Sequence, residues 1–280
     1  MPELPEVETI RRGLEKYLVG KRILEIMVKD SRLVQGDVES LIGAEVLAVK
    51  RFGKGLVFEL SNGKIIAIHI KLTGQLVYRG EENKHKNFDE KLVGSLPSKF
   101  TRVIIKLSPQ GILYFNDVRR FAWMKIVDKK DLQKLEFFRN LGPEPFKDLT
   151  LEQFKEIIKN SNQKIKALLM DQKKISGVGN IYANEALFEA RINPLRKASS
   201  LKEKEIEKLY KAVLRVLELG LKYGGTTEVN FVNADGQKGS FQEKLKVYGR
   251  KGEPCPVCGR PIKYTKISGR STFYCPYCQK

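Results

Sequence analysis

All four cysteines of the 280-residue chain lie between position 255 and the end, as Cys255-Pro-Val-Cys258 and Cys275-Pro-Tyr-Cys278. Two such pairs at this spacing bring four thiolates tetrahedrally around one Zn²⁺. Each pair is a tight knuckle, and the residues between them can form a hairpin. Disulfides are disfavoured in a cytoplasmic chain, and a redox dithiol needs only one pair. An iron site with the same four ligands is the minor alternative. Nothing acidic lies between Cys255 and Lys280, whereas Arg260, Lys263, Lys266, Arg270 and Lys280 do, interleaved with Tyr264, Phe273 and Tyr274. A metal-held hairpin of one charge sign suits contact with phosphates or a groove, with Arg270 at its expected tip.

The charge of the whole chain points the same way. Lys and Arg number 52 against 33 acids, for a formal net charge of +19. An excess of this size favours a polyanionic partner, nucleic acid before an anionic membrane surface. No apolar run approaches the roughly 20 residues that span a bilayer. Glu3, Glu6 and Glu8 exclude a basic-then-apolar signal segment. The expected address is cytoplasmic and nucleoid-associated, the expected state a monomer without a membrane.

Hydrophobic periodicity changes once along the chain. Residues 2–20 have helical spacing through Leu4, Val7, Ile10, Leu14 and Leu18, with acids in the first turn and Gly20 after the end. From about 23 to 127 come eight short β-rich runs (ILEIMV, EVLAVKRF, GLVFEL, KIIAIHI, QLVYR, RVIIKL, ILYFND, AWMKIV). They predict an antiparallel sandwich or barrel, interrupted by a long loop over Gly80–Lys99. After NLGPEPFKDLT (140–150) the pattern turns helical: LEQFKEIIKN, KIKALLMD, NIYANEALFEA and a long run to Gly224-Gly225. The organisation expected is a β-sandwich domain with its leading helix at 1–130, a linker at 131–148, a helical domain at 149–228, a loop region at 229–245 and the zinc module at 246–280.

Several short stretches carry candidate chemistry. Gly177-Val-Gly-Asn180 opens a helix, where backbone N–H groups cradle a phosphate and Asn180 caps the helix or reaches the phosphate itself. A dinucleotide fold is excluded, since no third Gly follows and no strand precedes. Lys54 stands between two glycines at the start of a strand, a setting for a lysine aimed into a cleft or simply at a strand edge. Asn116-Asp117-Val118-Arg119-Arg120-Phe121 joins two strands, so its arginines can hold phosphate or a base edge while Phe121 wedges into a stack or packs in a core. His69 and Leu72 lie in a similar turn. At the amino end, loss of Met1 would leave Pro2 with a secondary amine beside Glu3.

PELPEVETIRRGL at the start, RRF at 119–121, LGPEP at 141–145, GVGNIYANEALF at 177–188, VYGRKGEPC at 247–255 and the cysteine module together resemble the bacterial formamidopyrimidine-DNA glycosylases. The likeness runs in order over nearly the whole chain. It implies an α+β protein: an N-terminal helix plus antiparallel β-sandwich, then a helix-two-turn-helix domain with a C-terminal zinc-finger β-hairpin. It implies a bifunctional DNA repair glycosylase and AP lyase, acting on double-stranded DNA that contains oxidised purines (8-oxoguanine, formamidopyrimidines) or abasic sites and cutting by β,δ-elimination. The resemblance assigns Pro2 as nucleophile, Glu3 as acid on the sugar oxygen, and Lys54 and Arg270 as DNA-contacting groups of the two eliminations. It assigns Asn180 and Lys166 to phosphates, Arg119, Phe121 and Leu72 to the gap left by the everted nucleotide, and residues 229–245 to lesion recognition.

The chain departs from the family pattern in places. Leu72 stands where many relatives have Met, Val118 and Ala122 replace Pro and Gly, and Phe100-Thr101-Arg102 replaces His-Asp-His, so that Arg102 is the candidate substitute for the histidine's DNA contact. Two other readings remain at this stage: a glycosylase of the endonuclease VIII type acting on oxidised pyrimidines, and a zinc-finger protein that binds DNA without catalysis.

Overall fold

The computed structural model describes residues 1–280. The chain divides into two compact units, Met1–Arg139 with Gly220–Gln242, and Asn140–Leu219 with Glu243–Lys280.

The first unit opens with helix α1 (Leu4–Leu18). Leu4, Val7, Ile10, Leu14 and Leu18 are at most 1% exposed, so the predicted stripe is the face that enters the core. Nine strands follow: β1 (Ile23–Val28), β2 (Val34–Gln35), β3 (Val46–Phe52), β4 (Gly55–Leu60), β5 (Lys64–His69), β6 (Gly74–Gly80), β7 (Thr101–Leu107), β8 (Gly111–Asp117) and β9 (Trp123–Asp128). They form a four-stranded sheet in the order β1-β7-β8-β6 and a five-stranded sheet in the order β2-β9-β5-β4-β3. Alternate residues such as Leu56 and Phe58 of β4 and Leu113 and Phe115 of β8 share one core with the apolar face of α1.

Each of the eight predicted runs is a strand. The ninth, β2, was not anticipated and pairs parallel to β9, so the sheets are not wholly antiparallel. It is only two residues long because Gly36, at φ +101°, turns the chain away where Ile126 O closes on it.

Gly80–Lys99 is not simply a loop. It contains a 3₁₀ turn at Glu81–Asn83 and a one-turn helix α2 (Glu90–Val93), while Phe88, Leu92 and Val93 make a small cluster with Val77 and Val232. Helix α3 (Glu136–Arg139) forms inside the stretch read as linker, and Phe137 and Phe138 stack edge-on with His69 and Trp123.

The second unit holds α4 (Leu151–Lys159), α5 (Ile165–Leu169), α6 (Asn180–Ala190), helix α7 (Glu203–Lys222) as far as Leu219, and the hairpin β10 (Lys263–Ile267) and β11 (Arg270–Tyr274). Thr150 caps α4: its Oγ1 accepts from Gln153 N–H, and Gln153 Oε1 accepts from Thr150 N–H. α6 is buried nearly all round, which explains its apolar composition. The hairpin turns through Ser268 and Gly269, both at positive φ, as a two-residue loop requires.

Candidate active site

The amino end is held from one side by a carboxylate. Pro2 is buried, and Glu3 follows as the extended N-cap residue of α1. Glu6, one turn on and 2% exposed, accepts Glu3 N–H on Oε2 at 2.7 Å and Thr226 N–H on Oε1 at 2.7 Å. One side chain thus fixes the backbone beside Pro2 and joins it to the Gly224–Thr227 loop. Gly225 makes the approach possible: at φ +87°, it would carry a Cβ 2.9 Å from Glu6 Cγ. Thr226 Oγ1 is the one buried side-chain oxygen or nitrogen without a hydrogen-bond partner.

Lys54 occupies the two-residue turn between β3 and β4 and is 4% exposed, so it is an inward lysine rather than a strand-edge one. His69 lies close enough to feel its charge. Burial first, then Lys71 and Lys54, push the His69 imidazole down to about 3, so it is neutral. Its Nδ1 accepts Lys71 N–H at 2.9 Å, which leaves the proton on Nε2.

Leu72, Arg119 and Phe121 are brought together by a residue that the sequence reading passed over. Asp117, fully buried at the end of β8, accepts from Thr73 Oγ1, from Arg119 N–H at 3.2 Å and from Ala122 N–H at 2.8 Å. Arg119 N–H also reaches Thr73 Oγ1 at 3.0 Å. The Leu72 turn and the Arg119–Phe121 turn are therefore one rigid piece. Phe121 is 52% exposed and not in a core, and the Arg119 guanidinium lies over its ring at 4.8 Å. Arg120, at φ +58°, turns the other way to Asp30, whose carboxyl is held down at about 2 chiefly by Arg32.

Arg102 is placed differently from its expected DNA contact. It is 7% exposed, and its guanidinium donates to Asp117 O at 2.8 Å and Lys99 O at 3.3 Å, which props the same turn from below. Lys166 likewise points inward: fully buried, it donates to Ser271 O at 2.6 Å and Thr272 Oγ1 at 2.8 Å and so fixes β11.

The glycine turn before α6 is shaped by Gln172, which accepts Gly177 N–H and donates to Val178 O. Gly179, not Asn180, is the N-cap, and Asn180 is the first helical residue. Asn184 then donates to Asn180 O at 2.6 Å and accepts Phe273 N–H at 2.8 Å, tying α6 to the hairpin. Ser268 and Gly269 form the tip expected at Arg270, and Arg270, exposed, begins β11 directly after them.

The cysteine sulfurs lie within 4.8 Å of one another, with Cys255–Cys278 at 3.9 Å and Cys258–Cys275 at 3.5 Å. Ligands about 2.3 Å from a tetrahedral Zn²⁺ stand roughly 3.8 Å apart, so the donor set fits one structural zinc. All four positions are filled by thiolates, which leaves the metal no place for substrate.

Glu6 was legible in principle from its three-residue spacing to Glu3, and Asp117 from its place two residues before Arg119-Arg120-Phe121. Gln172 and Thr226 gave no such signal, because their partners depend on the tertiary fold.

Comparison with known proteins accounts for the chain end to end. The family model for the formamidopyrimidine-DNA glycosylase N-terminal domain matches residues 1–124, that for the H2TH domain of the same glycosylase 141–231, and the zinc finger found in FPG and IleRS 252–280. The formamidopyrimidine-DNA glycosylase of Pelotomaculum thermopropionicum is 40% identical over 100% of this chain and 99% of its own length. That of Carboxydothermus hydrogenoformans is 40% identical over the full length of both. Among solved structures, MutM (Fpg) from Thermus thermophilus superposes with a TM-score of 0.87 at 38% identity, covering 99% of this chain and 98% of that one. Lactococcus lactis Fpg in complex with DNA containing an abasic site gives 0.87 at 32% identity, with 99% of each chain covered. The chain belongs to the formamidopyrimidine-DNA glycosylase family.

Proposed function

We propose that this enzyme excises oxidised purines, 8-oxoguanine and formamidopyrimidines, from double-stranded DNA and then cuts the abasic strand by β,δ-elimination, acting as a monomer. The observation that carries the reading is the anchored amino end: Pro2 and Glu3 sit on a buried carboxylate bridge at the start of α1. Solved complexes of Lactococcus lactis Fpg with DNA containing an abasic site or FAPY-dG fit the same substrate class.

With Met1 removed, the Pro2 nitrogen is a secondary amine. A free α-amine titrates at about 7.7–8.0 against about 10.4 for lysine, so more of it is unprotonated at neutral pH. Its lone pair attacks C1′ of an everted nucleotide. The C1′–N bond to the base breaks, and the electron pair leaves with the base, which takes up a proton. Glu3 protonates the ring oxygen as the C1′–O bond opens, and the amine nitrogen, having shed its own proton, is left as an iminium. Loss of a C2′ proton then expels the 3′ phosphate, and a second elimination expels the 5′ phosphate. Lys54 and Arg270 serve these two eliminations as DNA-contacting groups. Neutral His69 donates Nε2–H to a phosphate oxygen, and Asn180 holds another phosphate.

Arg119, Phe121 and Leu72 fill the gap in the stack, with Arg119 facing the orphaned cytosine. Arg102 and Lys166 act through the elements they fix. The zinc holds the hairpin that carries Arg270 and takes no part in bond making.

Replacing Pro2 by Gly tests the assignment. Excision of 8-oxoguanine opposite cytosine should fall by orders of magnitude, and wild-type excision would refute the nucleophile. Faster nicking of thymine-glycol duplex than of 8-oxoguanine duplex by the wild type would reassign the substrate to oxidised pyrimidines.

A further inference from the structure

The Thr226–Gly239 loop is tied at several points, among them Asn230 O, which accepts Gln75 Nε2–H at 2.8 Å, but side chains of α1 hold it at two, and only one of those lies beside Pro2. At its start, Thr226 N–H is bound to Glu6. At its far end, Asp235 meets the other end of α1: Tyr17 OH donates to Asp235 Oδ1 at 2.7 Å. Lys86 Nζ donates to Asp235 Oδ2 at 2.8 Å and to Tyr17 OH at 3.0 Å, and Asn83 Nδ2 donates to Asp235 Oδ1 at 3.0 Å. The Tyr17 ring, 2% exposed, stacks on Tyr78 at 4.8 Å and 9°, so the hydroxyl that receives the loop is immobile. Asn233 closes the turn around Asp235 by accepting Asp235 N–H and Gln237 N–H on its side chain. Between Thr226 and Asn230 the chain rises to Val229, 65% exposed, before Phe231, Val232 and Ala234 return it to the interior.

We propose that Asp235, clasped by Tyr17 and Lys86, is a positioning residue for base excision: it fixes the far end of the 226–239 loop to the helix that carries the nucleophile. The loop can then present its 227–230 segment to an everted base in one register relative to Pro2. Without the clasp the far end keeps its backbone ties, Tyr78 N–H to Ala234 O at 2.8 Å and Asp89 N–H to Gly236 O at 2.9 Å, but loses its side-chain anchor to α1, and part of the cost of fixing 227–230 relative to Pro2 falls on the base-bound state. This rests on the glycosylase reading above and on the loop meeting the base. It separates two steps that share Pro2, because an abasic substrate has no base for the loop to meet.

The test uses full-length enzyme with zinc bound. Asp235→Ala removes the clasp, and Tyr17→Phe removes only its hydroxyl and keeps the ring stack. Asp235→Ala should slow single-turnover excision of 8-oxoguanine roughly tenfold, the scale of one charge-assisted hydrogen bond. Cleavage of a preformed abasic site should stay within about twofold, since that step does not read the base. Tyr17→Phe should move excision in the same direction by less. Amide exchange in 227–231 of the free variant should quicken while that of β7 and β8 does not. Equal loss of both activities, or unchanged excision alongside faster exchange, overturns the proposal. Failure of the wild type to excise 8-oxoguanine or formamidopyrimidine would instead overturn the glycosylase reading.

Discussion

Exchanging Glu6 for Gln is a substitution of nearly the same shape that attacks the mount of the nucleophile. Each carboxylate oxygen accepts one backbone N–H at 2.7 Å, from Glu3 and from Thr226, and the side chain is 2% exposed. A charge-assisted hydrogen bond of this kind contributes about 1.5–3 kcal/mol. Gln keeps one acceptor and turns an NH₂ toward the other N–H, so one bond is lost and two donors face each other. The anchoring should weaken by about 2–4 kcal/mol. If about 1.4 kcal/mol of that is expressed where Pro2 meets C1′, excision slows tenfold. Single-turnover excision from an 8-oxoguanine·C duplex at saturating enzyme reads the rate, and urea unfolding reads the anchoring. Glu8→Gln is the control, because Glu8 pairs with Arg11, Arg12 and Arg51 on another face of α1. Wild-type rate and stability in Glu6→Gln would show that the bridge does not hold the site.

Other outcomes follow from the same geometry. Asp117→Asn leaves one of its donors unmatched, so the turns bearing Leu72 and Phe121 should loosen, with about 1–3 kcal/mol lost in urea unfolding and weaker anisotropy-measured binding to lesion duplex. Chelation should release one Zn²⁺ per chain and weaken DNA binding; unchanged affinity in a verified metal-free sample would contradict the role given to the hairpin. His69 titrates at about 3 when folded, below its ordinary 6.5, so the unfolded chain takes up the proton first. Its contribution is complete above pH 6.5 and declines by up to about 1.4 kcal/mol per unit as pH falls toward 3. His69→Gln should therefore reduce the loss of stability between pH 7.5 and pH 5 by about 2 kcal/mol.

Strand and helix positions were legible because burial imposes a period on them: Leu56 and Phe58 alternate, and Leu4, Val7 and Ile10 recur. β2 was not legible, since two residues carry no period and its pairing depends on β9. Gly80–Lys99 read as loop because its polar residues dominate; Asn83, fully buried, spends its amide on Tyr78 O and Asp235, which no local pattern reveals. The cysteine cluster was read from spacing alone because chelation is local. Arg102 and Lys166 show the converse. The family resemblance pointed both toward DNA, but a long cation can equally turn inward onto carbonyls, and here both do. Residues that hold the candidate site from behind, Glu6, Asp117 and Asp235, are acids in a basic chain, and each binds partners distant in sequence.

The central claim is that the Pro2 amine forms the covalent intermediate. Borohydride reduction during turnover of 8-oxoguanine duplex, followed by peptide mapping, tests it directly. The adduct should fall on an amino-terminal peptide that lacks Met1 and begins at Pro2. An adduct on Lys54, or active enzyme whose intact mass retains Met1, would contradict it.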